Sequence, residues 1–166
     1  EMKDQKGILP RTAKDGEMIT CDSGWWTSGF YPGTLWYCYE YSNDPQVRAA
    51  AEEMTSRVEK QKYTTSNHDV GFIINCSFGN GYRLTRNEVI ETAAKSLSTR
   101  FHPVTGCTRS WNSKKWQFSV IIDNMMNLEL FTVASSMTGD NSYYNKAKSH
   151  ADRTMINHFR PDGSSF

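Results

Sequence analysis

GTLWYCYEYSNDPQVRAAAEEMTSRVEK, residues 33–60, decides how the rest of the chain is read. Its opening is aromatic and apolar, its close mixes Ala and Met with charge, and Asn43-Asp44-Pro45 lies between. Asp ahead of Pro offers a side-chain cap followed by a residue whose fixed φ and missing N–H suit a first helical turn. The stretch reads as two helices joined by a tight turn.

Outward from it, the same plan returns twice. DVGFIINCSFGNGYRLTRNEVIETAAKSLSTRF (69–101) is an apolar helix, a polar turn with Thr85 or Asn87 as candidate cap, and an amphipathic helix with Val89, Ala93, Ala94 and Leu97 on one face. In DNMMNLELFTVASSMTGDNSYYNKAKSHADRTMINHF (123–159), Thr138-Gly139-Asp140 resembles the Asn43-Asp44 turn. Loops 61–68 and 102–119 separate the hairpins, the second a plausible small β-excursion. More aromatic helices alternating with charged ones is the pattern of inner and outer helices in an α/α toroid. The expected fold is all-α, an (α/α)6 toroid of which this chain supplies the first three hairpins.

Composition narrows function. With 166 residues the chain suits one domain. A formal net charge of +1 gives no sequence-independent attraction to phosphate backbones or anionic membranes, so neither nucleic acid nor membrane is an expected partner. No apolar run is long enough to cross a bilayer, and EMKDQKGILPRT contains no apolar signal core. The four cysteines show no CxxC pair and no metal-finger spacing, so free, mostly buried thiols are expected, with no metal site and no cofactor. Five Trp and eight Tyr are a weak hint of the flat apolar platforms that sugars use.

The chemistry-bearing candidates sit at helix starts. Asp69 and Asp123 each open the inner helix of a hairpin, which in a toroid gathers both at one mouth and permits paired acid–base chemistry. Either could instead be an N-cap. Asp123 lies in the apolar run VIIDNMM, where desolvation by Val120, Ile121, Ile122, Met125 and Met126 would raise its pKa. Trp26 opens the first hairpin at the same mouth, and Trp111 lies in the loop before the third. Their competing reading is packing against turns. His68 adjoins Asp69 and has a structural alternative. Asn75, Asn80, Asn124 and Asn127 lie near apolar helices, where an amide must find partners; bonding between loops is their plainest use.

WTSGFYPGTLWYCYEY, HDVGF, NCSFGNGYRLT, RSW, IIDNMMNLEL and HFRPDGSSF resemble, in that order, the unsaturated glucuronyl hydrolases of glycoside hydrolase family 88, from Trp25 onward. The resemblance implies that residues 1–166 form the N-terminal half of one (α/α)6 catalytic domain. It implies release of 4,5-unsaturated glucuronic acid from the non-reducing end of lyase-generated oligosaccharides. Asp123 would protonate C4 of the vinyl ether and then serve as base for water adding at C5, unlike a two-carboxylate glycosidase. Asp69 would be the second essential carboxylate. Trp26 and Trp111 would pack on the sugar, with His68 and Asn124 as further substrate-binding positions. In this family SSF is followed by further substrate-binding positions, so the missing half, or a partner chain, would complete the pocket and cover the flank. By resemblance the compartment is the bacterial periplasm or cytoplasm. Unsaturated rhamnogalacturonyl hydrolases of family 105 share the architecture, though HDVGF argues against them; a non-catalytic sugar-binding fragment is the alternative from another class.

Overall fold

Turn chemistry builds the hairpins. In a computed structural model describing residues 8–85 and 89–166, α1 (Phe30–Ser42) ends where Asn43 takes the left-handed conformation at φ 52°, and the next residue caps α2 (Pro45–Ser56). The Asp44 carboxylate accepts from the Gln46 N–H at 2.8 Å. The same device returns in the third hairpin: Gly139, at φ 74°, ends one helix, and Asp140 caps the next by accepting from the Ser142 N–H at 2.8 Å. The expected likeness between the two turns holds down to dihedrals and donors.

The second hairpin holds α3 (Val70–Ile74), α4 (Asn80–Thr85) and α5 (Val89–Ser98). Its inner helix is not the continuous one expected: a π-helical turn over Asn75–Gly79 separates α3 from α4. Side chains enter the backbone ladder there. Ser77 Oγ donates to the Ile73 carbonyl at 2.5 Å, and Asn80 Nδ2 donates to the Cys76 carbonyl at 2.9 Å. Of the candidate caps for α5, Asn87 lies outside the described residues and Thr85 is the last residue of α4. The third hairpin runs through α6 (Asn124–Asn127), α7 (Glu129–Thr138) and α8 (Asn141–Asn157).

Together the hairpins form a partial (α/α)6 toroid, with α3, α5 and α7 around the core. Ile73, Ile74, Ile90, Leu97, Leu130 and Phe131 are all but sealed from solvent, each contributing about 1.5–3 kcal/mol of transfer free energy. Phe131 stacks on Tyr143 of α8, fixing the outer helix on the inner one. Gly71 lets α3 lie directly against Asn127: a Cβ added there would stand 2.6 Å from the Asn127 backbone.

Two short ribbons complete the described chain. β1 (Leu9–Lys14) and β2 (Glu17–Cys21) pair antiparallel across Asp15-Gly16, both with positive φ, ahead of the first hairpin. β3 (Phe101–His102) and β4 (Cys107–Thr108) form the expected β-excursion. The thiols are free as expected but not mostly buried: Cys38 is exposed and Cys21, Cys76 and Cys107 are half-buried. Among the described residues no helix is long and apolar enough to cross a membrane. Large apolar side chains lie open, among them Tyr41, Met155, Ile156 and Phe166.

Candidate active site

Three segments converge because one loop ties them together. The Ser110 carbonyl accepts from the His68 N–H at 2.8 Å, and an antiparallel bridge joins Asn67 to Trp111. Ser110 Oγ accepts from the Ile121 N–H at 3.1 Å and from Asn124 Nδ2 at 3.2 Å. The residues ahead of α3 and of α6 are thereby held against the same serine. This brings Asp69 and Asp123 to one place.

Both aspartates stand where an N-cap would stand, yet neither side chain caps its helix. Each residue has right-handed helical dihedrals instead of the extended ones of Asp44 and Asp140. The carboxylates are turned toward His68. Its Nε2 lies 3.5 Å from Asp69 Oδ1 and 3.9 Å from Asp123 Oδ1, so the two acids are no further apart than these two spokes allow. The His68 side chain is 1% exposed, against 25% for Asp69 and 40% for Asp123. Asp123 Oδ1 is buried with no hydrogen-bond partner among the described residues, which is uncommon for such an atom.

Electrostatics follow from this crowding. Burial raises the pKa of Asp69, the negative charge of Asp123 raises it further, and His68 and Arg100 pull it down, for a net rise. Burial likewise raises Asp123 above the usual carboxylate range, against the lowering pull of His68 and of the Asn124 and Asp123 amides. Coulomb repulsion is mutual, so an ionised Asp69 also hinders the ionisation of Asp123. The apolar surround expected from the sequence holds in part: Val120, Ile121 and Met125 are half-buried, while Ile122 and Met126 are 47% and 56% exposed.

Asn127 sets the proton on His68. The Phe72 N–H donates to Asn127 Oδ1 at 2.7 Å, leaving Nδ2 to face His68 Nδ1 at 3.4 Å. A backbone N–H can only donate and an amide NH2 can only donate, so Nδ1 accepts and the neutral ring carries its proton on Nε2, between the two carboxylates. From the sequence Asn127 is one of four amides that must find partners, with bonding between loops the plainest use; the partners it finds, Phe72 and His68, are set by tertiary packing.

The two candidate tryptophans flank the cluster and are open to solvent, Trp26 at 43% and Trp111 at 41%. Trp111 packs edge-on against His68, with ring centroids 6.1 Å apart. Trp26 packs edge-on against Phe30 and against Phe72, which lies one turn beyond Asp69. Asn124 is different. It is fully buried and its amide donates to the Thr108 carbonyl at 2.8 Å, so it braces the loop behind Asp123 and does not reach the open side where a substrate contact was expected. Among the described residues no group of acidic, His or Cys side chains is arranged to hold a metal.

The chain that carries this cluster is similar in sequence and fold to known proteins. The chain is 45% identical over 148 residues to an unsaturated glucuronyl hydrolase of Formosa agariphila. The chain matches the N-terminal half of the unsaturated glucuronyl hydrolases. The Formosa alignment covers 85% of this chain and 37% of that relative. An unsaturated chondroitin disaccharide hydrolase of Streptococcus pneumoniae is 33% identical over 87% of this chain and 39% of its own length. The crystal structure of an unsaturated glucuronyl hydrolase specific for heparin superposes with a TM-score of 0.91 at 42% identity, over 97% of this chain and 45% of that one. The chain thus spans well under half the length of the curated relatives it matches. No protein-family model matches it.

Proposed function

We propose that this chain supplies the acid–base pair of a glycoside hydrolase that releases 4,5-unsaturated glucuronic acid from the non-reducing end of lyase-generated glycosaminoglycan-type oligosaccharides. The observation that carries the reading is the convergence of two uncapped carboxylates, both with raised pKa, on the Nε2–H of one buried histidine. Asp123 is the acid. In its protonated form it delivers a proton to C4 of the vinyl ether, and the positive charge that develops at C5 is shared with the ring oxygen. The Asp123 carboxylate then takes a proton from a water as the oxygen bonds to C5. The hemiketal opens, the glycosidic bond breaks, and the acid is restored.

Asp69 holds negative charge near the developing cation and favours the proton on Asp123 by repulsion. His68 keeps the pair in register, and Trp26 and Trp111 offer faces on which sugar rings stack. The relatives' names, unsaturated glucuronyl and unsaturated chondroitin disaccharide hydrolase, support this substrate class. The chain furnishes the first half of a single (α/α)6 catalytic domain, and three further hairpins, or a partner chain, cover its open apolar flank.

Asp123→Asn in the intact protein tests the reading. Loss of the near-ultraviolet absorbance of the unsaturated uronate is expected to slow by at least about a hundredfold. Turnover near that of the unsubstituted protein would remove Asp123 from the mechanism.

A further inference from the structure

Beside the Trp111 loop lies a second opening, separate from the aspartate pair. It is a cavity of about 530 Å³ between the β3–β4 ribbon and the loop through Gln117 and Phe118. Arg100, His102, Arg109 and Asn112 also line it. What distinguishes it is positive charge with no carboxylate in direct contact among the described residues. Arg100 is only 7% exposed, yet among the described residues neither it nor Arg109 has a carboxylate within ion-pair distance.

Arg100 donates from Nε to the Arg109 carbonyl at 2.8 Å and from Nη1 to the Thr65 carbonyl at 2.6 Å, both neutral acceptors. Its third contact, Nη2 to Asn112 Oδ1, is long at 3.4 Å. Arg109 spends only Nε, on the Trp111 carbonyl at 3.2 Å, and both of its terminal nitrogens stay free of hydrogen bonds among the described residues. A nearly buried guanidinium is costly unless a counter-charge is near, and beside Arg100 the two unspent terminal nitrogens of Arg109 match the paired oxygens of a sulfate or carboxylate.

We infer that this cavity is an anion subsite for the sulfate ester or carboxylate carried by a sugar beyond the unsaturated residue. The inference rests on the proposed function for the identity of the ligand, while anion binding as such does not. The link to the catalytic cluster is direct: Arg109 holds the backbone of Trp111, whose ring packs on His68. The electrostatic influence of Arg100 extends to Asp69. An oligosaccharide stacked on Trp111 would therefore extend toward the two guanidinium groups, and an acidic second sugar would be favoured over a neutral one.

The test uses the intact protein and inorganic sulfate, followed by titration calorimetry. Arg109→Gln keeps a side chain able to reach the Trp111 carbonyl and is expected to weaken sulfate binding about tenfold, the loss of one charge-assisted contact. His102→Gln is the second variant, expected to weaken it in the same direction. Lys14→Gln, an exposed charge loss elsewhere, should leave sulfate affinity unchanged. In a kinetic arm, kcat/KM for an unsaturated disaccharide sulfated on its second sugar is divided by that for the unsulfated disaccharide. This ratio should fall about tenfold in Arg109→Gln. An arm with a uronate-extended trisaccharide separates carboxylate from sulfate as the group recognised. No sulfate binding by the unsubstituted protein, or equal binding by Arg109→Gln, overturns the inference. Weakened sulfate binding with unchanged ratios for both anionic substrates overturns the assignment to the oligosaccharide. If no unsaturated substrate is turned over at all, the proposed function falls while calorimetry still decides the anion site.

Discussion

The side-chain amide of Asn127 has one way to face, because the Phe72 N–H must meet its oxygen. Exchanging that amide for a carboxylate changes one atom and reverses the demand on His68. In Asn127→Asp the atom facing Nδ1 becomes an acceptor, so the imidazole proton should move from Nε2 to Nδ1 and present a lone pair to Asp69 and Asp123. Nitrogen-15 NMR of the imidazole reads this directly, and kcat is expected to fall at least about tenfold with the wrong tautomer. The same carboxylates make a stability prediction. A raised folded-state pKa means the native protein holds these protons more tightly than the unfolded chain, so this contribution is full below the ordinary carboxylate pKa and is lost as pH rises through the raised values. Asp69→Asn with Asp123→Asn should therefore raise Tm relative to the unsubstituted protein at pH 7, with a smaller gain at pH 4. Thermal melts at the two pH values decide it.

Among elements, the contact of α3 with α6 determines whether the aspartates meet. Gly71 leaves no room for a side chain against Asn127, since an added Cβ would strike rigid backbone at 2.6 Å. Gly71→Ala is expected to cost about 1–3 kcal/mol, measured as a lower urea midpoint, and to reduce activity by pushing Asn127 away from His68. The helical hairpins were legible in the sequence because their signals are local: a cap, a Pro at the first turn and an apolar stripe each act within one or two turns. The π-helical turn over Asn75–Gly79 was not, since Ser77 and Asn80 look like ordinary polar positions until their side chains are seen bonded into the ladder. The β1–β2 ribbon did carry a local signal, Asp15-Gly16, the preferred dipeptide of a two-residue hairpin turn.

Across the whole molecule, a buried base contributes to the response to acid. His150 of α8 is fully buried and accepts the Thr108 N–H on Nδ1 at 2.8 Å, joining the outer helix to the loop behind the site. Burial above all, with the nearby His158 and His68, depresses its pKa from 6.5 to about 4. The native state therefore holds this proton less tightly than the unfolded chain. Its contribution is present above the unfolded value and is lost as pH falls from 6.5 toward 4. Up to about 3 kcal/mol should be lost across that window, and His150→Gln should flatten the acid limb of a Tm–pH curve.

By itself the sequence determined the three hairpins, their matched turns and the placement of Asp69 and Asp123 at inner-helix starts, because those depend on neighbours a few residues apart. Only the tertiary structure decided that neither aspartate is a cap, that His68 stands between them, and that Asn124 braces from behind while Asn127 fixes a proton. These contacts join residues 55 and 59 positions apart, and their orientation depends on which backbone groups packing leaves unsatisfied. The surroundings of Asp123 show the difference. The apolar letters around it promised a complete sheath, but the fold turns Ile122 and Met126 to solvent and leaves Val120, Ile121 and Met125 half-buried.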